Sequence, residues 1–257
     1  MKAIIIAAGP STRLMPLTQN TPKCMLEIKG KPIIQNAIEI FRKNKINDIS
    51  VVRGYLKEKI NFNNITYFEN KDFWNNNILH SLMCARPKLE EAVKSKEDVV
   101  VSYSDIFFKN SVVKSLVKDK HEIAAVVDTE WQDYYSGRTD HPISEAEMVL
   151  ADKNKKIIKI GKGRVPVNSK GTKSEFIGMW KFTPKGITLF LKHFDRLNSS
   201  LKKNEPYQNA KEWQKSYITD MFQEMVDKGE NIHCVLIKKN WFEFDTVQDY
   251  KRISKLA

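Results

Sequence analysis

Met1-Lys-Ala-Ile-Ile-Ile-Ala-Ala-Gly-Pro-Ser-Thr-Arg-Leu-Met-Pro-Leu-Thr-Gln-Asn-Thr-Pro-Lys23 opens the chain and decides how the rest is read. Apolar residues run unbroken from Ala3 to Ala8 and stop at Gly9. A short run of this kind, without polar alternation, predicts a strand buried on both faces, as in a parallel sheet. Gly9 lets the backbone turn sharply and approach a ligand closely. Backbone N–H groups of the Pro10–Arg13 stretch can then cradle phosphate oxygens, with Arg13 and Lys23 adding fixed positive charge. An ordinary turn with solvent-facing cations is the plain alternative.

Downstream of this loop, Pro32 to Asn44 reads as a helix with Pro32 in its first turn and Ile33, Ala37, Ile40 and Phe41 on one face. Asp48–Val52 and Ile65–Phe68 read as strands, which gives strand, helix, strand with short connections and hence a parallel sheet. Ile78–Ala92 predicts one helix, capped by Asn76 or Asn77. Asp98–Ser102, Ile123–Val127, Phe176–Phe182 and Ile232–Ile237 predict further strands, and Met148–Leu150 with Ile157–Ile160 a hairpin. Helices are expected at Ser111–Asp119, Lys185–Asn198, Ser216–Lys228 (closed by Gly229) and Val247–Leu256. The whole predicts an α/β chain: three α/β/α layers, Rossmann-like, around a mixed, mostly parallel sheet. No linker or repeat stands out, so one domain is expected over 1–257, with a lid-like insertion at about 130–175.

Composition narrows the function. With 257 residues, 41% of them hydrophobic, the chain can bury a large core. No stretch reaches the roughly 20 apolar residues of a membrane helix, and the opening run lacks the features of a secretory signal, so a cytoplasmic protein is expected. Cys24, Cys84 and Cys234 are odd in number and widely spaced, which speaks against a disulfide framework or structural zinc; Cys24 reads as a small filler. The net charge of +12 suits an anionic partner. Its lysines are dispersed and no nucleic-acid module is visible, so the expected anion is a nucleotide and not DNA or RNA.

The opening loop has neither the Walker A spacing nor GxGxxG. It resembles the signature of the nucleotidyltransferases that make activated sugars and activated polar alcohols, roughly Ala-Ala-Gly-x-Gly-x-Arg-Leu, then Pro, Thr and Pro-Lys. Here that reads Ala7-Ala8-Gly9-Pro10-Ser11-Thr12-Arg13-Leu14, Pro16, Thr18 and Pro22-Lys23. The departure is Ser11, where the family has its second glycine. The resemblance implies the nucleotidyltransferase fold. It also implies that Ala8, Gly9, Pro10, Ser11 and Thr12 hold the nucleotide while Arg13 and Lys23 act in catalysis. Tyr103-Ser104-Asp105 stands where the family has a metal-binding aspartate, and Glu243-Phe244-Asp245 looks like its second acidic site. Asp105 and Asp245 would thus hold Mg²⁺, an oxygen-seeking ion. Read alone, Asp105 is a cap or turn residue, and Asp249 reads as a helix-surface residue.

Asn76-Asn77-Ile78-Leu79-His80-Ser81-Leu82 resembles a region of the cytidylyltransferases that act on phosphocholine and 2-aminoethylphosphonate. That implies Asn77 and Ser81 at the base or ribose; simple helix capping is the alternative. His80 reads as a partly buried helix histidine. The run from Trp131 to Pro142 resembles nucleotidyltransferase domains found with phosphonate biosynthesis. It implies substrate-binding roles for Tyr135, Arg138 and His141, with Arg138 able to grip a phosphonate bidentately. An ordinary aromatic loop is the alternative. By the same resemblance Lys162 contacts the substrate phosphate, unless it is a solvated lysine.

The expected reaction joins CMP from CTP to a small phosphonate or phosphate ester, 2-aminoethylphosphonate or phosphocholine, with release of pyrophosphate. The partners are CTP and that ester; a homodimer is compatible with the sequence. Two alternatives stand beside it: a sugar-1-phosphate nucleotidylyltransferase using UTP or dTTP, and a non-catalytic nucleotide- or nucleic-acid-binding protein on the same fold.

Overall fold

The computed structural model describes residues 1–166 and 168–256. Position 167 of the expected insertion and position 257 of the expected domain lie outside the described residues. Strand β1 (Lys2–Ala7) is buried along its whole length. Ile4, Ile6 and Ala8 enter one hydrophobic cluster while Ala3, Ile5 and Ala7 enter another. Burying an isoleucine is worth roughly 1.5–3 kcal/mol, so three of them outweigh the roughly 1 kcal/mol spread of strand propensity. The strand is held by its two faces.

After β1 come the short pair β2 (Glu27–Ile28) and β3 (Lys31–Pro32), then helix α1 (Ile33–Lys43), β4 (Asp48–Arg53) and β5 (Thr66–Glu69). Pro32 precedes the helix as its cap, one position earlier than the sequence reading put it. The helix buries Ile33, Ile34, Ala37, Ile38 and Phe41, leaving Ile40 only partly covered. β1 pairs in parallel with β4 and with β6 (Val99–Tyr103), and β4 with β5.

The helix expected over 78–92 is two helices: α2 (Ile78–Met83) and α3 (Arg86–Ser95). Pro87 is the reason. It has no N–H to give and its ring crowds the carbonyl four residues earlier, that of Met83, where α2 ends. Next come β7 (Ile106–Phe108), α4 (Asn110–Lys118), β8 (Ile123–Asp128), the single turn α5 (Gln132–Tyr135), β9 (Met148–Ala151), β10 (Ile157–Ile160) and β11 (Thr172–Phe182). The chain closes with α6 (Pro184–Ser200), α7 (Ile218–Asp227), β12 (His233–Ile237), β13 (Trp241–Glu243) and α8 (Val247–Leu256).

Among the described residues nine strands form the main sheet, in the order β10-β9-β11-β6-β1-β4-β5, with β8 also on β11 and β12 on β8. β11 is antiparallel to β6, β8 and β9, and β10 to β9; β12 runs parallel to β8. Helices α1 and α4 pack on one face, α2, α3, α6 and α7 on the other. This is the mixed, mostly parallel three-layer sheet that the sequence predicts.

Strand β11 carries the feature that makes a site. Its first half, Thr172–Glu175, pairs with β9, and its second half, Met179–Phe182, pairs with β6. On that edge the sheet therefore forks between Glu175 and Met179. Gly178 lies in the fork with φ +77°, and a Cβ there would meet the Tyr103 ring at 2.3 Å. Only glycine lets β11 pass that close to the end of β6. Among the described residues, no helix is long and apolar enough to cross a membrane.

Candidate active site

The fork opens a cavity of about 310 Å³ at the carboxyl ends of β1 and β6. Ligands of open α/β sheets bind in that position. One end is made by the opening loop. Ala8, Gly9, Pro10, Ser11, Arg13 and Lys23 line the cavity, whereas Thr12, expected with them, does not. Ser11 takes the left-handed conformation (φ 51°, ψ 52°) that the missing glycine would have adopted freely. Its carbonyl accepts a 3.0 Å hydrogen bond from the Thr18 hydroxyl, and buried Leu14 anchors the turn that follows.

Lys23 sits at the floor, buried, with Nζ 2.6 Å from Asp105 Oδ2 and 2.6 Å from Asp245 Oδ1. Burial alone would push the proton off this amine. The two carboxylates outweigh that and hold its pKa above the usual lysine range. Burial likewise opposes ionisation of Asp245, yet Lys23, His141 and Arg13 bring it well below the usual carboxylate range. Arg13 donates to Asp245 Oδ2 at 3.0 Å, and His141 approaches the same oxygen to 3.0 Å. His141, Glu243 and Asp245 offer ligand atoms within 4.8 Å of one another. These donors are mostly carboxylate oxygens, the chemistry Mg²⁺ prefers, and the floor already accommodates one cation, the Lys23 ammonium.

The wall beside the loop is a network of amides. Asn70 donates to Asn76 at 2.7 Å and to the Ser81 hydroxyl at 2.9 Å, and Asn76 donates back at 3.0 Å. Asn77 and Ser81 both line the cavity, as does Asn76. Both amide groups of Asn77 are engaged, Oδ1 with the Ile78 N–H and Nδ2 with the Lys215 carbonyl. Asn77 is thus the helix cap that its residue type suggests. His80 bonds the Trp213 carbonyl at 2.9 Å and faces away from the chemistry.

The other end is acidic. Glu145, Glu147, Glu175 and Glu243 line it together with Lys162, Tyr103 and Tyr217. Glu147 accepts from the Thr219 hydroxyl at 3.0 Å; burial, partly offset by Lys162, lifts its pKa to about 7. Glu175 accepts from the Tyr135 hydroxyl through Oε1, while its buried Oε2 has no partner. Burial, with Glu243 adding to it, raises Glu175 well above the usual range. The buried Tyr103 hydroxyl is also unpartnered. Lys162 pairs with Glu145 at 2.9 Å and lies 5.3 Å above the Tyr217 ring.

The sequence assignments of Arg138, Tyr135 and Asp249 are corrected by this geometry. Arg138 and Tyr135 do not line the cavity. Arg138 is buried behind it, forked onto Asp249 at 2.8 and 3.1 Å and bonded to Glu243 at 2.8 Å. Asp249, read as a helix-surface residue, is 2% exposed. Its Oδ2 also takes the N–H groups of Asp245 and Thr246, so it caps α8 and braces the Asp245 turn. The Arg138 and Asp249 misreadings share one cause: Asp249 lies 111 residues from Arg138, and Glu243 105. Sequence reasoning missed Glu147, Glu175 and Tyr217. The one available signal was Glu175, a carboxylate heading the apolar run Phe176-Ile-Gly-Met-Trp.

An anion loop at the head of a parallel sheet, facing two carboxylates that share one cation, defines a nucleotidyltransferase. Residues 3–243 match the MobA-like NTP transferase domain, and the chain belongs to that family of enzymes. It is 34% identical over 254 residues, 97% of each chain, to the CTP:phosphoglutamine cytidylyltransferase of Campylobacter jejuni. It is 34% identical over 125 residues to the choline-phosphate cytidylyltransferase of Streptococcus pneumoniae, covering 47% of this chain and 52% of that one. Among solved structures, the CTP:phosphocholine cytidylyltransferase of S. pneumoniae superposes with a TM-score of 0.69 at 22% identity, over 99% of this chain and 98% of that one. The inositol-1-phosphate CTP transferase of T. maritima gives 0.72 at 21%, over 99% and 94%.

Proposed function

We propose that this protein transfers CMP from CTP to a small phosphate or phosphonate ester whose head group carries an ammonium, releasing pyrophosphate. The observation that carries the reading is the cavity's lining: the anion loop with Arg13 and Lys23 at the paired Asp105 and Asp245, and beyond them Glu147 and Glu175, buried carboxyl groups that can receive a cation. The named relatives that use CTP support the choice of nucleotide. An acidic lining suits 2-aminoethylphosphonate, phosphocholine or an amino-acid phosphate, and offers less to the uncharged head group of a sugar phosphate.

An acceptor phosph(on)ate oxygen attacks the α-phosphorus of CTP, the bond to the β-phosphate oxygen breaks, and pyrophosphate leaves. The oxygen is already anionic, so no protein base or nucleophile is needed. The Gly9–Arg13 loop orients the phosphates, and Lys23 and Arg13 neutralise charge that grows on the transferring and leaving groups. Asp105 and Asp245 are the residues that would hold Mg²⁺, which supplies further charge neutralisation at the phosphates. Arg138 keeps Glu243 and Asp249 in place from behind. Ser81 and the Asn70–Asn76 pair border the space for the base and ribose. At the acidic end Glu147 meets the ammonium, with Glu175 offering its free carboxyl oxygen as an acceptor and Tyr103 and Tyr217 as aromatic walls. The segment before β9, which brings His141, Glu145 and Glu147 to the cavity, acts as the lid of a single domain. Three unpaired cysteines suit a reducing, cytoplasmic setting.

The test is pyrophosphate release over four NTPs crossed with 2-aminoethylphosphonate, phosphocholine, phosphorylated glutamine and glucose-1-phosphate. Turnover with CTP and a cationic acceptor is expected. Turnover confined to UTP or dTTP with the sugar phosphate would replace the proposal, and no turnover with any pair would remove it.

A further inference from the structure

A second cluster lies at the opposite edge of the sheet. β8 runs in the same sense as β1 and β6, and the cavity is at their carboxyl ends. Asp119, at the end of α4, and His121 precede the amino end of β8, and His233 begins β12 beside it. Both imidazoles turn Nδ1 toward one carboxylate. His233 Nδ1 is 2.9 Å from Asp119 Oδ2, and His121 Nδ1 is 3.1 Å from Oδ1. The two rings are stacked, centroids 3.7 Å apart and 15° from parallel. The three donor atoms lie within 4.8 Å of one another.

We infer that Asp119, His121 and His233 form a binding site for a borderline transition-metal ion, such as Zn²⁺ or Co²⁺, separate from the nucleotide cavity. Asp119 Oδ2 lies 2.9 and 3.2 Å from the two Nδ1 atoms, separations that subtend about 90–105° at an ion roughly 2.0–2.1 Å from each. Imidazole suits Zn²⁺, Co²⁺ and Ni²⁺ and gives Mg²⁺ little. The carboxylate is already oriented, because Asp119 Oδ1 accepts the His121 N–H at 2.8 Å. His121, whose side chain is 54% exposed, has room to tilt its ring toward the ion and leaves other coordination positions to water. Bound there, the ion staples the α4–β8 connection to β12, the last strand on that side of the sheet.

The experiment uses chelator-treated, tag-free full-length protein. Co²⁺ is expected to give a visible d–d absorption band with one equivalent bound, and Zn²⁺ a rise in Tm of several degrees. Mg²⁺ should give neither. His121→Ala removes an exposed side chain and keeps the fold; it should weaken Co²⁺ binding at least about tenfold, and adding His233→Ala should abolish it. Asp105→Asn with Asp245→Asn should leave both signals intact. A wild-type protein without the band or the shift overturns the assignment. So does a signal that survives loss of both histidines, or one that disappears with the two cavity aspartates.

Discussion

The two ends of the cavity are built in opposite ways. The phosphate end is one strand and the loop after it, and its cations arrive within 23 residues of the first. Its charges are compensated at once, Lys23 by Asp105 and Asp245, Arg13 by Asp245. The acidic end is assembled from β11, the turn before β9 and the start of α7, and it keeps an excess of carboxylates with a buried, unpartnered oxygen on Glu175. The compensated end is ready to exchange partners with a polyanion. At the acidic end Lys162 meets Glu145 and Arg138 meets Glu243, while burial holds Glu147 and Glu175 toward their neutral forms; an incoming cation would draw these two into ionisation.

Removing the cation from the compensated end tests the contrast hardest. Lys23→Ala should lower kcat for pyrophosphate release about a thousandfold, with a lower Tm from the two aspartates left unpaired and a circular dichroism spectrum that still reports a folded protein. A near-normal rate would take Lys23 out of the mechanism. At the acidic end, Glu147→Gln should raise KM for an ammonium-bearing acceptor roughly tenfold, with KM for CTP unchanged; an equal change in both would erase the division into two ends.

The same division predicts a pH profile. Glu147 is lifted from its usual 4.5 to about 7, mainly by burial. Its carboxylate is therefore lost as pH falls through 7, and KM for the cationic acceptor should climb several-fold between pH 8 and 6. Glu147→Gln should flatten that limb, and a profile identical in both proteins would assign the titration elsewhere. The smallest effect concerns the loop itself. Ser11 pays about 1–2 kcal/mol for its left-handed backbone. Ser11→Gly recovers this but loses about 0.5–1 kcal/mol through a more flexible unfolded chain. Urea denaturation should find a net gain of up to about 1.5 kcal/mol, and a loss would mean the serine side chain holds the loop.

What the sequence made legible follows the same line. β1, the loop and the βαβ start are local patterns, and they could be read directly. Asp105 and Asp245 became legible only by resemblance, since each follows a strand end that has no peculiarity of its own. Arg138 was misassigned because an arginine in an aromatic loop looks free until Glu243 and Asp249 fold against it. The break between α2 and α3 was there to be read in Pro87. Glu147 and Tyr217 had no signal at all: their meeting depends on the antiparallel arrival of β9 and β11 and on where α7 begins.

Lys23 has a consequence for how the protein rests between turnovers. Gathering two acidic groups at one point ordinarily makes a fold depend on an outside ion, as in proteins that collapse in chelator. Here the counter-ion is covalently attached, 82 residues from one carboxylate and 222 from the other. The phosphate end is therefore preorganised in the ligand-free chain. Its integrity does not track the supply of divalent ions.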